Sequence, residues 1–237
     1  RLLAFDRRFR QTGHWRNPYL ADCHGICIHE RMLYLVSTGN DCIIGFDLEE
    51  QAFTWAIQLQ SEYFQFRPAA FDPQGDDRPL FINKLELRNV SCDEGGMRIT
   101  GLNTGGLLHF NGESIHMSVE LPGGAQDAQL FRSGVVFNDS RRGVVRYAGR
   151  EDDSEDRAIP VPFFTPSDHS RHDGDDVRML KRGYARGLCV LSGAAVAGGS
   201  TPAGVSVYDL RAGKKLVTVN FTKNVLEAVN AVAAWSD

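Results

Sequence analysis

The chain has 237 residues, of which 42% are hydrophobic and 24% charged, the composition of an ordinary globular protein. Its formal net charge of −4 argues against nucleic acid as a partner, because proteins that bind nucleic acid usually carry a basic surface. No apolar run reaches the roughly 18 residues that a membrane-spanning helix needs, so we also expect no membrane partner. One all-β domain can account for a chain of this length.

The chain contains five cysteines and no Cys-x-x-Cys pair, which indicates neither a disulfide framework nor a zinc knuckle. Reduced thiols packed as small hydrophobic groups explain this pattern, with Cys23 and Cys27 left open as reactive thiols. No signal peptide is visible, so we expect a cytoplasmic protein. Because residue 1 is Arg, the natural chain can begin further upstream, and secretion stays open.

One short phrase recurs five times: an apolar pair, an intervening residue, an aromatic residue and often an acid or amide. Its copies lie at residues 2–6, 43–47, 107–111, 144–148 and 205–209 (where the second apolar residue follows a serine). A repeat of this kind in a strand-rich sequence is typical of a β-propeller, in which each copy belongs to one four-stranded sheet, or blade. The phrase itself is expected to have a packing role.

Turn residues divide the sequence into short strands, four to each full copy of the repeat. In chain order, the full blades cover residues 24–60, 83–122, 126–163 and 186–222. The strands are expected at residues 25–29, 32–37, 42–48 and 53–59 in the first blade; 84–87, 97–101, 106–110 and 115–121 in the second; 128–131, 134–137, 144–147 and 158–162 in the third; and 187–191, 194–197, 205–210 and 215–221 in the fourth.

The two ends of the chain are expected to share the fifth blade. Residues 1–13 supply outer strands at 2–5 and 9–13, and residues 230–237 supply the inner strand at 231–235. The second strand has no candidate, so it lies upstream of Arg1 or is missing. Sharing one blade closes the ring and removes free sheet edges. The prediction is an all-β, five-bladed propeller with four-stranded antiparallel blades, forming a single domain over residues 1–237.

A polar residue begins each inner strand and is followed by apolar residues two and four positions later. These five residues are His24, Asn83, Gln126, Arg186 and Asn230. Long connections at 14–23, 61–82 and 165–185 are expected on the same face of the propeller. Because binding sites commonly lie on long loops over a rigid scaffold, we expect a pocket at this mouth of the central channel.

The polar residues suit a small polar, anionic ligand. The permanent charge of Arg186 would hold an anion and disfavours a metal ion beside it, while His24 can exchange a proton near neutral pH. Tyr184 and Asp22 are expected to assist these two catalytic residues. The expected substrate-binding residues are Asn83, Gln126, Asn230, Trp15 and Arg67. With no cofactor motif in the sequence, we expect a lyase, cyclase or hydrolase that uses neither metal nor cofactor.

The sequence is also compatible with two other functions. A non-catalytic module that binds a glycan or a peptide would use the same face, and an inert scaffold would hydrogen-bond its polar residues only to one another or to water. In the third long connection, His169 and His172 lie among aspartates and suggest metal ligands. A solvated acidic loop is favoured there, because the spacing matches no standard site and Arg171 intervenes. The oligomeric state is open.

Three phrases carry a resemblance to known propellers. Residues 83–87, Asn-Lys-Leu-Glu-Leu, resemble an inner strand of the short-bladed family that includes gluconolactonase-type hydrolases, strictosidine-synthase-like proteins and five-bladed glutaminyl cyclases of the plant and bacterial type. Residues 22–26 and 184–188 resemble inner strands of poorly characterised bacterial propellers. The resemblance implies a propeller fold. Because the gluconolactonase type binds its metal through Glu, Asn and Asp, it implies neither that metal nor lactonase activity for a ring with Arg186 and His24.

Overall fold

Short runs of β-branched and aromatic residues, separated by Gly, Asp and Asn, form hairpins along the chain. The computed structural model describes residues 1–63, 65–76, 79, 81–149, 156–162, 183–224 and 227–234. Over these ranges it contains 19 β-strands and one turn of 3₁₀ helix at Thr38–Asn40. No helix within these ranges is long and apolar enough to cross a membrane.

The strands form five antiparallel sheets, each built from strands that are consecutive along the chain. The first sheet pairs β1 (Leu2–Phe5) with β2 (Gln11–Trp15). The second contains β3 (Cys23–His29), β4 (Met32–Ser37), β5 (Cys42–Asp47), β6 (Ala52–Glu62) and β7 (Gln65–Ala70). The third contains β8 (Leu87–Asp93), β9 (Gly96–Gly101), β10 (Gly106–Phe110) and β11 (Ile115–Glu120).

The last two sheets follow the same order. One contains β12 (Ala125–Phe131), β13 (Gly134–Asp139), β14 (Val144–Gly149) and β15 (Arg157–Pro160). The other contains β16 (Tyr184–Val190), β17 (Ala195–Thr201), β18 (Gly204–Asp209) and β19 (Lys214–Asn220). Repeated four-stranded antiparallel sheets in this order are propeller blades, which confirms the predicted all-β propeller class. The chain divides into two compact units, Arg1–Ile99 with Leu108–Ser118 and Thr100–Leu107 with Val119–Asp237.

The first blade gains a strand that the sequence analysis assigned to a loop. β6 continues to Glu62 and β7 pairs with it in register, with Leu59 opposite Pro68. Because β7 is an edge strand, a proline there costs no ladder hydrogen bond that the sheet needs. The predicted loop at residues 61–82 is therefore wrong for residues 61–62 and 65–70.

The inner strand of the second blade also differs from the prediction, which placed it at residues 84–87. The Oδ2 atom of Asp41 accepts hydrogen bonds from the backbone N–H groups of Lys84 (2.7 Å) and Leu85 (2.8 Å). Glu86 then adopts a left-handed conformation with φ of 49°, which interrupts an extended strand. The regular inner strand β8 consequently begins only at Leu87.

The C-terminal segment lies where the fifth inner strand was expected but carries no strand over residues 231–234, and Trp235 is outside the described residues. An added Cβ on Gly187 of β16 would lie 2.8 Å from Cα of Ala231. The backbone N–H of Val229 donates to the carbonyl of Ser200, 3.2 Å away. In the first unit β8 lies against β3 in a similar way, since a Cβ on Gly25 would lie 2.7 Å from the Arg88 carbonyl oxygen.

Each unit packs two clusters of buried apolar side chains around its sheets. In the first unit one cluster joins Val36 and Ile43 of the first blade to Ile99 of the second. In the second unit an equivalent cluster joins Val145 of the third blade to Tyr208 of the fourth. The core therefore lies between successive blades, where face-to-face sheets bury apolar side chains efficiently.

The acid or amide of the repeated phrase caps the turn that follows it. The Oδ1 atom of Asp47 accepts hydrogen bonds from the backbone N–H groups of Glu49 and Glu50, at 2.9 and 3.1 Å. Asp6, Asn111 and Asp209 each accept two turn N–H groups through Oδ1 in the same way. The aromatic residue before the cap is buried in four of the five copies. The phrase thus packs the core and closes a turn.

These turn caps predict a loss of stability in acid. Backbone N–H donors, chiefly that of Glu50, lower the pKa of Asp47, and the N–H of Ala212 likewise lowers the pKa of Asp209. A carboxyl whose folded pKa is lowered stabilises the fold above its unfolded pKa of about 3.9 and loses this contribution as the pH falls through the folded pKa. The variant D47N/D209N keeps the acceptor oxygens but does not titrate.

We therefore expect the urea midpoint of D47N/D209N to fall less than that of the natural chain between pH 7 and pH 3. E120Q, at an exposed carboxyl outside the turns, should fall as much as the natural chain. Equal losses in all three proteins would contradict the assignment.

Candidate functional site

The start of inner strand β3 carries a polar cluster in the first unit. The Nε2 atom of His24 lies 3.2 Å from Oδ1 of Asp22 and also contacts Nη1 of Arg88 on β8. Arg88 in turn lies 3.6 Å from a carboxylate oxygen of Glu86. The side chains of His24 and Arg88 are only 18% and 20% exposed, whereas Asp22 is largely exposed. The structure thus brings together two predicted residues, Asp22 and His24.

The two contacts of His24 require opposite roles of the same nitrogen. Nε2 can accept a hydrogen bond from the Arg88 guanidinium only when it carries no proton. It can donate to Asp22 only when it is protonated. The position of the ring proton therefore determines whether Nε2 of His24 donates to Asp22 or accepts from Arg88.

Arg88 is a residue of this cluster that the sequence analysis missed. It follows Leu87, whose carbonyl accepts a hydrogen bond from the Thr38 hydroxyl at 2.5 Å. In the second unit Arg186 follows Ala185, whose carbonyl accepts from Ser140 at 3.3 Å. Arg88 therefore holds in its blade the position that Arg186 holds in another.

Asn83, which the sequence analysis chose for this position, is exposed and precedes the inner strand. Both residues are followed by apolar residues two and four positions later, Leu85 and Leu87 after Asn83 and Val90 and Cys92 after Arg88. This spacing fits Arg88 as well as Asn83, so it does not show which of the two residues begins the inner strand. The predicted inner-strand position of Asn83 is wrong because the regular strand begins after it, and its role in substrate binding stays a prediction.

The start of inner strand β16 carries the corresponding cluster in the second unit. Nη1 of Arg186 donates a hydrogen bond of 2.7 Å to Oδ1 of Asn230. The guanidinium carbon lies 5.0 Å from the ring centroid of Tyr184, a cation–π contact. The Nε atom of Arg186 is buried and has no hydrogen-bond partner among the described residues. The structure thus brings together three predicted residues.

Gln126 has a structural role that its predicted contact with substrate did not include. Its amide nitrogen donates to the hydroxyl of Ser140 at 2.5 Å and to the carbonyl of Ala185 at 2.6 Å. Both N–H donors of this buried amide are therefore used within the protein, where they join β12 to β16. Its role in substrate binding stays a prediction, for which these two hydrogen bonds leave the side-chain carbonyl oxygen.

Asp127, the next residue, is a second side chain that the sequence analysis missed. It lies in a bulge of β12 with φ of 54°. Its Oδ2 atom accepts hydrogen bonds of 2.9 Å from Nδ2 of Asn138 and from the backbone N–H of Gly187. A carboxylate therefore supports the backbone beside Arg186. No strand pattern marks it, because the bulge takes Asp127 out of the alternation.

The two predicted loop residues lie elsewhere. The Trp15 ring packs at 5.0 Å, edge to face, against Phe46 and belongs to the apolar core of the first unit. Arg67 lies on β7, four strands from β3, a separation of roughly 19 Å at the usual strand spacing. It lines a surface cleft of about 370 Å³ together with residues 60–63 and Gln65. Neither joins the clusters at the inner strands.

The third long connection, with His169 and His172, lies outside the described residues. Among the residues that are described, no group of three His, Cys, Asp or Glu side chains could hold a metal ion.

Comparison with known proteins finds similar chains among the solved structures. No protein family model matches the chain. No curated protein matches it either. Among solved structures, the chain is similar to the computationally designed Ika8 protein, with 11% sequence identity and a TM-score of 0.48 over 91% of this chain. The chain spans 65% of the length of that protein.

Proposed function

We propose that the protein binds a small anionic ligand through Arg186. The observation that supports this is a guanidinium held on two sides, by Asn230 at 2.7 Å and by the ring of Tyr184, with no ion pair to a carboxylate within the described part of the chain. Such a cation is oriented but not neutralised. Burying charge without a counter-ion is costly, so an anion that supplies one gains binding energy.

The geometry favours a carboxylate, sulfate or phosphate over a neutral ligand. A guanidinium presents several donors in one plane, which match the oxygens of these anions. Asn230 and Tyr184 are neutral, so neither competes for the charge of Arg186. The contact with the Tyr184 ring and the hydrogen bond to Asn230 restrict the Arg186 side chain before a ligand binds. Less conformational entropy is therefore lost on binding.

A second role, acid–base catalysis, is favoured by the pair of His24 and Asp22 in the first unit. The separation of 3.2 Å lets the carboxylate stabilise a protonated imidazole, and Arg88 stabilises the form without a proton on Nε2. This chemistry belongs to lyases, cyclases and hydrolases of small polar substrates. The alternative, a module that binds a glycan or peptide, leaves the ligand unchanged.

The test measures anion affinity by calorimetry with inorganic phosphate, sulfate and acetate as probes. R186Q should weaken the tightest probe by roughly 10- to 100-fold, because hydrogen bonds to a charged group contribute about 1.5–3 kcal/mol. The matched control R211Q removes an exposed arginine of the same blade and should keep the natural affinity. Equal affinity for R186Q and the natural chain would overturn the proposal.

The same preparations separate catalysis from binding alone. With a panel of carboxylate and phosphate esters and lactones, H24Q should lose turnover while it keeps the probe affinity. Turnover that survives in H24Q would remove His24 from the mechanism. If the natural chain leaves every substrate unaltered, the protein acts as a binding module and not as an enzyme.

A further inference from the structure

Two cysteines meet between the inner strands of the first and second blades. Cys27 on β3 and Cys92 on β8 pack against the same apolar cluster of the first unit, and Cys92 is close enough to lower the pKa of Cys27. Both residues are free thiols and both are partly exposed. The contact joins residues 65 positions apart in sequence, so the fold creates it.

The register of the two strands explains the contact. His24 lies beside Arg88, and the backbone at Gly25 lies against the carbonyl of Arg88 and the Cα atom of Asn89. Cys27 lies three residues beyond His24 on β3, and Cys92 lies four residues beyond Arg88 on β8. The close approach therefore depends on the small side chain of Gly25.

A cleft gives solvent access to Cys92. Its volume is about 340 Å³, and Cys92 lines it together with His29, Tyr34 and Trp55. All of its lining residues belong to the first unit. A small polar oxidant can therefore reach Cys92 through the cleft, and Cys27 is itself partly exposed.

The surroundings make one thiol of the pair reactive. The hydrogen bond from the Cys92 thiol lowers the pKa of Cys27 to about 6, against the opposing effect of burial, and His29 lowers it further. The same contact raises the pKa of Cys92. Cys27 is then largely a thiolate at neutral pH, and Cys92 is the proton-bearing partner.

Cys23, the other thiol that the sequence left open as reactive, has a raised pKa, whereas that of Cys27 is lowered. Although the residue as a whole is exposed, desolvation of its sulfur raises its pKa, so it stays protonated at neutral pH.

We propose that Cys27 and Cys92 form a peroxide-sensitive dithiol that closes to a disulfide between β3 and β8. The Cys27 thiolate attacks one oxygen of hydrogen peroxide, the O–O bond breaks, and the departing hydroxide takes up a proton to become water. The sulfur of Cys92, on losing its proton, attacks the resulting sulfenic acid, and a second water leaves. Two thiols and one peroxide give one disulfide and two waters, with two electrons passing from sulfur to oxygen.

The chain contains a matched control in Cys189. It follows Gly187-Leu188 on β16 as Cys27 follows Gly25-Ile26 on β3, and its thiol contacts the carbonyl of the next residue at 3.7 Å, as that of Cys27 does at 3.6 Å. Cys189 is the one cysteine in the second unit. It thus reproduces the strand position of Cys27 without a cysteine from the neighbouring inner strand.

The test treats the reduced full-length chain with one equivalent of hydrogen peroxide, blocks the remaining thiols and identifies peptides by mass spectrometry. We expect a cross-linked peptide joining Cys27 to Cys92, loss of two of the five free thiols, and full recovery with dithiothreitol. C189S should form the same cross-link, and C92A should accumulate a sulfenic acid on Cys27 that dimedone traps. A cross-link to any other cysteine, or a stable sulfenic or sulfinic acid on Cys27 in the natural chain, would overturn the proposal.

The pH dependence of alkylation gives a readout that needs no oxidation. The rate at Cys27 should rise with a midpoint near pH 6 and stay level above pH 7, whereas a thiol with an ordinary pKa of about 8.5 gains rate throughout that range. C92A should move the midpoint upward, because it removes the donated hydrogen bond. A midpoint at Cys27 that C92A leaves unchanged would show that the pair does not act as a unit.

Discussion

Replacing Tyr208 with alanine is expected to lower the free energy of unfolding by about 4 kcal/mol. Tyr208 has no exposed surface and is among the largest fully buried side chains of the chain's described part. It packs with Val145 and Val196 between the third and fourth blades. Removing the ring leaves a cavity that the two sheets cannot close without losing their own hydrogen bonds. The measurement is urea unfolding followed by tryptophan fluorescence.

The repeat supplies a control for this variant. Phe5 holds the position of Tyr208 in the first copy of the phrase but is 53% exposed. F5A should therefore cost less than about 1.5 kcal/mol, and Y208F, which keeps the ring, should stay in the same range. Similar losses for Y208A and F5A would show that the phrase does not contribute to the core through its aromatic residue.

The fold class was predictable because each copy of the repeat indicates the same local structure. Each copy joins an apolar pair to an aromatic residue and a capping group, and each of these has a local role that needs no knowledge of the rest of the chain. Phe46 is buried and Asp47 closes the next turn, as the spacing of the phrase requires. Local signals of this kind agree with the global fold in natural sequences.

The errors arise where a long-range contact decides the local structure. Residues 84–87 alternate like a strand, but the carboxylate of Asp41 holds the backbone at Lys84 and Leu85 in a connection. These two hydrogen bonds join residues that are 43 and 44 positions apart, so no local sequence pattern contains both partners. β7 was missed for a related reason, since its partner β6 runs beyond its expected end.

The candidate site was predictable in part. Tyr184 and Arg186 lie at the start of β16, and the C-terminal segment places Asn230 beside Arg186. Asp127 could not be predicted because it leaves the strand alternation through a positive φ. Such a conformation is usually marked in a sequence by glycine, which is absent at this position. Gln126 was assigned to ligand binding because the sequence does not show that Ala185 and Ser140 already use its donors.

Replacing Gly187 with alanine is the second large effect, and we expect it to lower the free energy of unfolding by about 3 kcal/mol. Gly187 has φ of 61°, a conformation that costs an L-residue roughly 1–2 kcal/mol. The new Cβ would also lie 2.8 Å from the Cα atom of Ala231, and forcing the backbone apart adds about 1–3 kcal/mol. The segment that moves carries Asn230, so the hydrogen bond of 2.7 Å that orients Arg186 should be lost as well. Affinity for the probe anion should then fall together with stability.

Two other glycines separate the causes. Gly112 has φ of 101° but nothing within 4 Å of an added Cβ, so G112A measures backbone strain alone. Gly193 lies in the hairpin that follows β16 and has neither a positive φ nor a neighbour within 4 Å, so G193A should change stability by less than about 1 kcal/mol. If G187A costs no more than G112A, the contact with Ala231 contributes nothing. The C-terminal segment would then not be held against β16, and the orientation of Arg186 would need another cause. A larger loss in G187A, with weaker anion binding in the same variant, would show that one close backbone approach supports both the fold and the site.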